Sequence, residues 1–173
     1  MKIHLLAILM LTTACVQVGC SSDPTTGYST QSIFPEKYAT VAIPVIENET
    51  YFREMGFLLT LALITEIESR TPYKVTSEYK ADSLLTGRIT AVELTSLSQN
   101  ESTGLDEEVI VGVTINFEWM DLETDAVIVT RSNFEGAGLF VPSPPSGEYL
   151  QIGEVAVVQQ LASDMVDEMQ AAW

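Results

Sequence analysis

The stretch that decides the fold is Val109-Ile110-Val111-Gly112-Val113-Thr114-Ile115-Asn116-Phe117-Glu118-Trp119. Val109, Val111, Val113, Ile115, Phe117 and Trp119 share one parity; Ile110, Gly112, Thr114, Asn116 and Glu118 share the other. A period of two sends successive side chains to opposite faces of a β-strand, so this segment has one core face and one wet or partner-facing side. A strand of that kind belongs to a sheet covered by a second layer on one face only.

Working outward, Asp121-Leu122-Glu123-Thr124-Asp125 turns the chain into residues 126–134 (AVIVTRSNF), a hairpin. Residues 84–97 (LLTGRITAVELTSL) read as a strand whose alternation changes parity near Ala91-Val92, the mark of a β-bulge. A polar connection, 98–108 (SQNESTGLDEE), joins it to the central strand. Residues 39–46 (ATVAIPVI) are a short strand that Pro44 places at an edge or ends early. Asn48 or Thr50 is the expected N-cap of a helix running to about Arg70, where Thr71-Pro72 stops it. In that helix Phe57, Leu58, Leu61, Ile64 and Glu68 mark the stripe, while Leu59, Leu63 and Ile67 widen the apolar arc, so cover on more than one side is expected. Glu66 and Arg70 are an i, i+4 pair. Residues 73–77 (YKVTS) form a strand, 136–147 (GAGLFVPSPPSG) an irregular Gly- and Pro-rich connector. Residues 148–173 form a second helix, with Ile152, Val155, Val158, Ala162, Met165, Met169 and Trp173 at steps of three and four. The predicted class is α/β, α+β-like: a two-layer sandwich with two amphipathic helices on one face of a mixed four- to five-stranded sheet.

The chain has 173 residues, 8 Lys+Arg against 24 Asp+Glu, and a formal net charge of -16, with 46% hydrophobic and 18% charged residues. That is enough apolar material for one domain with a sizeable core. The acid excess repels phosphate backbones, which excludes nucleic acid as a partner by general electrostatics. His4, Cys15 and Cys20, the whole complement of histidine and cysteine, fall in the first 20 residues. There Lys2 precedes an apolar run, residues 3–16, too short to span a bilayer and of the kind found in secretory signals. Val18-Gly19-Cys20-Ser21-Ser22 is similar to a lipobox, with Thr12-Thr13-Ala14-Cys15 as the rival site. The expected organisation is a lipoprotein signal peptide over 1–19, a Ser-, Thr- and Pro-rich tether from a lipid-bearing Cys20 over 20–38, and a single domain over 39–173. Lys2 is the one charged residue before Cys20, so the chain from Cys20 onward carries -17.

Without imidazole or free thiol, that chain lacks the proton acceptor of Ser-His-Asp or Cys-His catalysis and the usual nitrogen and sulfur ligands of zinc. No cofactor or catalytic residue is expected. The acids remain. Asp106-Glu107-Glu108 reads as a solvated loop. Asp121, Glu123 and Asp125 resemble the opening of a calcium loop, but Ala126 stands at the glycine position and Ser132 at the closing glutamate, so a hairpin turn explains them better. Asn48-Glu49-Thr50 and Asn100-Glu101-Ser102 match the glycosylation pattern, which matters only in a eukaryotic secretory route. Gly136-Ala137-Gly138 lacks the third glycine of a phosphate loop. Trp119 and Trp173 read as core. A site of two acids in a hydrolytic cleft has no concentration of cleft-lining aromatics or amides around it.

Several pieces together resemble the LptE family of lipopolysaccharide-assembly lipoproteins. They are the lipobox cysteine, Gly27-Tyr28, the run from Thr40 to Thr50 (TVAIPVIENET) before an apolar helix, Arg70-Thr71-Pro72-Tyr73-Lys74-Val75, the run from Ala81 to Ile89 (ADSLLTGRI), and a C-terminal helix ending in Trp173. The resemblance implies a non-enzymatic lipoprotein, acylated with palmitate or a like chain, on the periplasmic face of a Gram-negative-type outer membrane. It implies assembly with an LptD-like outer-membrane β-barrel that it plugs, with lipopolysaccharide as a further candidate partner. Lipopolysaccharide carries phosphates, and the cations after Cys20 are only Lys37, Arg53, Arg70, Lys74, Lys80, Arg88 and Arg131. The barrel-partner role is therefore carried over, and a lipopolysaccharide site is not. The alternative reading is a lipid-anchored periplasmic module of another envelope secretion or translocation complex, since openings such as TVAIPVIENET also resemble N-terminal domains of such lipoproteins.

Overall fold

The computed structural model describes residues 32–99, 101–142 and 149–170. Its elements are β1 (Thr40–Ala42), β2 (Glu47–Asn48), α1 (Met55–Arg70), β3 (Lys74–Thr76), β4 (Ser83–Gln99), β5 (Asp106–Asp121), β6 (Val127–Phe140) and α2 (Leu150–Asp167). The strands form one six-stranded sheet in the order β3-β1-β4-β5-β6, with β2 also on β4. β1 runs parallel to β3 and β4, β2 runs parallel to β4, and β4, β5 and β6 are antiparallel. Two helices packed on this mixed open sheet give the predicted α+β class.

The period-two segment carries the core. Val111, Val113, Ile115, Phe117 and Trp119 of β5 are buried beside Leu85 and Ile89 of β4 and the inner faces of both helices. The parity change in β4 is a bulge: Ile89 pairs with Ile115 and Ala91 with Thr114, leaving Thr90 as the extra residue. Trp119 is fully buried, with the rings of Tyr38 and Tyr73 at 5.3 and 5.9 Å. Phe34 is also buried, edge-on to Tyr73 at 6.0 Å, and the Tyr73 hydroxyl donates to the Pro35 carbonyl at 3.0 Å. The last residues before β1 are thus packed onto the fold.

The strand over 39–46 ends early, at Ala42, and pairing resumes only at Glu47, because Pro44 has no N–H for a ladder. Other local expectations are corrected. β1 lies between β3 and β4 rather than at an edge. Asn48 and Thr50 do not cap α1, whose N-cap is Glu54 without a side-chain bond. Asn48 instead organises a turn: its Oδ1 accepts from Thr50 N and Oγ1 at 2.9 and 2.7 Å, and its Nδ2 donates to the Phe52 carbonyl at 2.6 Å. The buried stripe of α1 is Met55, Leu59, Leu63 and Ile67, whereas Phe57 and Leu61 point outward.

Residues 136–140 extend β6 instead of forming a connector. A Cβ on Gly138 would lie 2.7 Å from Val157 N and 2.9 Å from the Gly153 carbonyl oxygen, and one on Gly153 would lie 2.7 Å from the Phe140 ring. The two glycines face each other where α2 lies on β6, so they serve backbone approach and not chain reversal. Val158, Ala162 and Met165 of α2, and Met169 in the turn after it, join the core as the spacing predicts, while Ile152 and Val155 are exposed. Glu148 and Trp173 lie outside the described residues. The helices run in the same direction: Phe52–Met55 lie beside Gln151 and Glu154 at one end, and Arg70 reaches Ser163 and Asp167 at the other. Among the described residues no helix is long and apolar enough to cross a membrane.

Candidate functional site

The second parity of β5 builds the sheet face that no helix covers. Register brings Thr86 and Thr130 beside Glu118, Arg88 beside Asn116, and Glu93 and Ala137 beside Gly112. Near β2 this face sinks into a shallow depression of about 460 Å³ floored by Thr86, Asn116 and Glu118, with Pro44 and Val45 on one wall and Arg131 and Ser132 on the other. Arg88 is held there by Glu47 (Nε to Oε2, 2.7 Å) and Glu49 (3.2 Å), and the Glu47 bond raises the guanidinium pKa further. The surface offers hydroxyls, an amide and paired charges.

The positive groups are largely spent on internal pairs. Lys37 pairs with Asp121, Arg70 with Glu66 and Asp167, Arg88 with Glu47 and Glu49, and Arg131 with Glu168. Arg53, at the start of α1, and Lys74 and Lys80, near β3, have no carboxylate partner among the described residues. A scattered trio of this kind does not make a phosphate-binding cluster of the sort that guanidinium forks build.

Where the chain enters the fold, two aspartates clamp it. The Asp82 carboxylate accepts from Ala39 N (3.0 Å), Thr40 N (2.9 Å) and Thr40 Oγ1 (2.8 Å), and these bonds hold its pKa below the ordinary value. Asp121, only 1% exposed, accepts from Lys37 and from Tyr38 Oη (3.2 Å) through Oδ2, and from Glu123 N (2.8 Å) and Thr124 N (3.1 Å) through Oδ1. The Lys37 ammonium foremost, then the two backbone N–H groups, hold this carboxyl well below the usual carboxylate range against the cost of burial.

Of the predicted site residues, Cys20 and Cys15 lie outside the described residues, as do Gly27-Tyr28 and Asn100. Asp121, Glu123 and Asp125 form the hairpin turn: Asp121 N donates to the Ala126 carbonyl at 2.9 Å, and Asp125 takes a left-handed φ of 55°. Asp106 and Glu108 belong to β5 rather than to a loop. Asp106 Oδ1 accepts from Ser96 Oγ (2.7 Å) and Gln99 Nε2 (2.9 Å), and Glu108 from Ser98 Oγ (3.2 Å), so they are cross-strand pairs. The Asp82 clamp was not anticipated from sequence; its signal was an acid immediately before a strand whose partner strand begins with threonine.

The LptE family model, described as lipopolysaccharide-assembly, matches residues 38–172. The chain belongs to the LptE family. Its members are non-enzymatic lipoproteins of Gram-negative envelopes that act in lipopolysaccharide assembly with LptD-like proteins. No curated protein matches this LptE-family chain in sequence. Among solved structures, the PelC dodecamer from Paraburkholderia phytofirmans is similar at 18% identity and a TM-score of 0.51, covering 82% of this chain and 96% of that one. Protein XCC0632 from Xanthomonas campestris is similar at 10% identity and a TM-score of 0.55, covering 75% of this chain and 81% of that one. At these identities the likeness is one of fold.

Proposed function

We propose that this LptE-family chain is an outer-membrane lipoprotein, anchored on the periplasmic side through acylated Cys20, that assembles with and plugs an LptD-like β-barrel. The family match over residues 38–172 carries the reading. The open sheet face is the surface offered to the barrel. The interiors of wide membrane barrels are polar, and a face of threonine, asparagine and charged side chains suits such a wall, with Glu93, Glu118 and Glu135 left for donors or cations of the partner to meet. The signal peptide over 1–19 and, of the tether over 20–38, the part before Phe34 belong to the same proposal, since Phe34 to Tyr38 are packed on the fold. The barrel partner is not accompanied by a phosphate site, since Lys37, Arg70, Arg88 and Arg131 are already engaged.

Purification of the tagged chain from detergent-solubilised outer membranes is expected to recover one large, heat-modifiable β-barrel protein in stoichiometric amount. Recovery of components of a different secretion machine, with no barrel, would replace this reading by the alternative one. Cys20→Ala is expected to move the protein from the membrane to the soluble fraction. Unchanged membrane partition, or acyl mass on Cys15, refutes the anchor assignment.

A further inference from the structure

Among the described residues every glycine but one has a reason within the fold. At Gly56, Gly87, Gly136, Gly138 and Gly153 an added Cβ would come within 3.1 Å of another atom, and Gly104 takes a φ of 69°. Gly112, in the middle of β5, has neither reason. Its φ is not positive, the ladders to β4 and β6 run through it without a register shift, and the nearest atom to an added Cβ is the Glu93 carbonyl oxygen at 3.9 Å. Glycine inside a strand weakens it, and one that the fold does not need marks a place where something outside the fold approaches the backbone closely.

Gly112 belongs to the wet parity of β5, so its missing side chain leaves a notch in the open sheet face. Register places Glu93 and Ala137 on either side of it and Glu135, opposite Thr114, on the diagonal. Side chains directly across a ladder stand about 5 Å apart at Cβ and diagonal ones about 7–8 Å, so both carboxylates are within reach of one long side chain laid into the notch. Neither Glu93 nor Glu135 has an ion-pair partner among the described residues. No cation of the chain is free to fill the place. Arg88, opposite Asn116, is held by Glu47 and Glu49; Arg131, opposite Phe117, has the core parity and is held by Glu168. Lys74 lies in β3, beyond β1, and Lys80 in the short turn after β3. Glu108 and Glu118, on the same parity of β5, add to the negative sign. A second copy would bring the same carboxylates, and an anionic lipid surface would be repelled. We infer that the notch receives a lysine or arginine side chain from the wall of the partner that covers the open face, its stem across Gly112 and its charged head between Glu93 and Glu135. The inference rests on the reading of this face as the barrel contact and adds the chemistry of the barrel wall at that point.

Gly112→Val separates this role from a structural one. Valine has room there and favours strands, so the variant is expected to unfold at a temperature roughly 2 °C or more above wild type in circular dichroism. The same variant is expected to recover at least fivefold less barrel protein per tagged chain from detergent-solubilised outer membranes, because its side chain fills the notch. Glu93→Lys/Glu135→Lys is expected to lower recovery at least tenfold, while Glu68→Lys on α1 leaves it unchanged. Full recovery of the barrel by either the notch variant or the double reversal overturns the inference and leaves the barrel reading standing. A Gly112→Val chain that unfolds at a lower temperature than wild type returns the glycine to the fold and overturns it as well. Absence of any barrel with the wild-type chain overturns the inference and the reading together.

Discussion

At the scale of the residue, Asp121 does most to join the chain's entry to its sheet, by holding Lys37 and Tyr38 through one oxygen and the β5–β6 turn through the other. Asp121→Asn keeps an amide oxygen for Glu123 N and Thr124 N, removes the charge that Lys37 meets, and puts an NH2 donor where Oδ2 accepts from Lys37 and Tyr38. The variant is expected to unfold at lower temperature than wild type at pH 7, measured by circular dichroism. The sign with pH follows from the depressed folded pKa: the stabilisation is complete above the unfolded carboxylate value of about 4 and disappears as pH falls below it toward the folded value. The difference between wild type and Asp121→Asn should therefore shrink below about pH 4. A difference that persists unchanged into acid would assign the effect to packing instead of charge.

At the scale of the element, the strands of the β4–β5 pair were legible because period two is a local property of the sequence, and even the bulge announced itself as a change of parity. The inner face of α1 was not. Apolar residues occupy nearly every position from Met55 to Ile64, so spacing alone cannot tell Leu59 and Leu63, which are buried, from Phe57 and Leu61, which are not. Tertiary packing decides, and Leu63→Ala is expected to cost about 2–5 kcal/mol in chemical denaturation, against less than about 1 for Leu61→Ala. The glycines of β6 misled for a related reason: composition marks Gly136 and Gly138 as breakers, while only the approach of α2 shows why they sit inside a strand. Any side chain on Gly138 would collide with the backbone of Val157 and Gly153, so Gly138→Val is expected to lift α2 from β6. Hydrogen exchange checks this directly: faster exchange in α2 with β4 and β5 still protected is the expected pattern.

At the scale of the whole molecule, charge and the placement of titratable groups were readable early, because the histidine and both cysteines lie before residue 21. What the sequence could not give is the pairing of Lys37, Arg70, Arg88 and Arg131 with carboxylates far along the chain, 84 to 97 positions away in the first two cases. Those pairs turn a low count of cations into a surface that leaves few of them for a phosphorylated glycolipid, and the proposed barrel contact is assigned to the open sheet face. The most direct measurement is photo-crosslinking in cells from a benzophenone side chain placed at position 116, on the open face, with position 68, on the exposed side of α1, as comparison. The account predicts an adduct between position 116 and an LptD-like barrel, identified by mass spectrometry, and none to the barrel from position 68. A barrel adduct from position 68 alone, or none from either position in membranes where the chain is acylated, would contradict it.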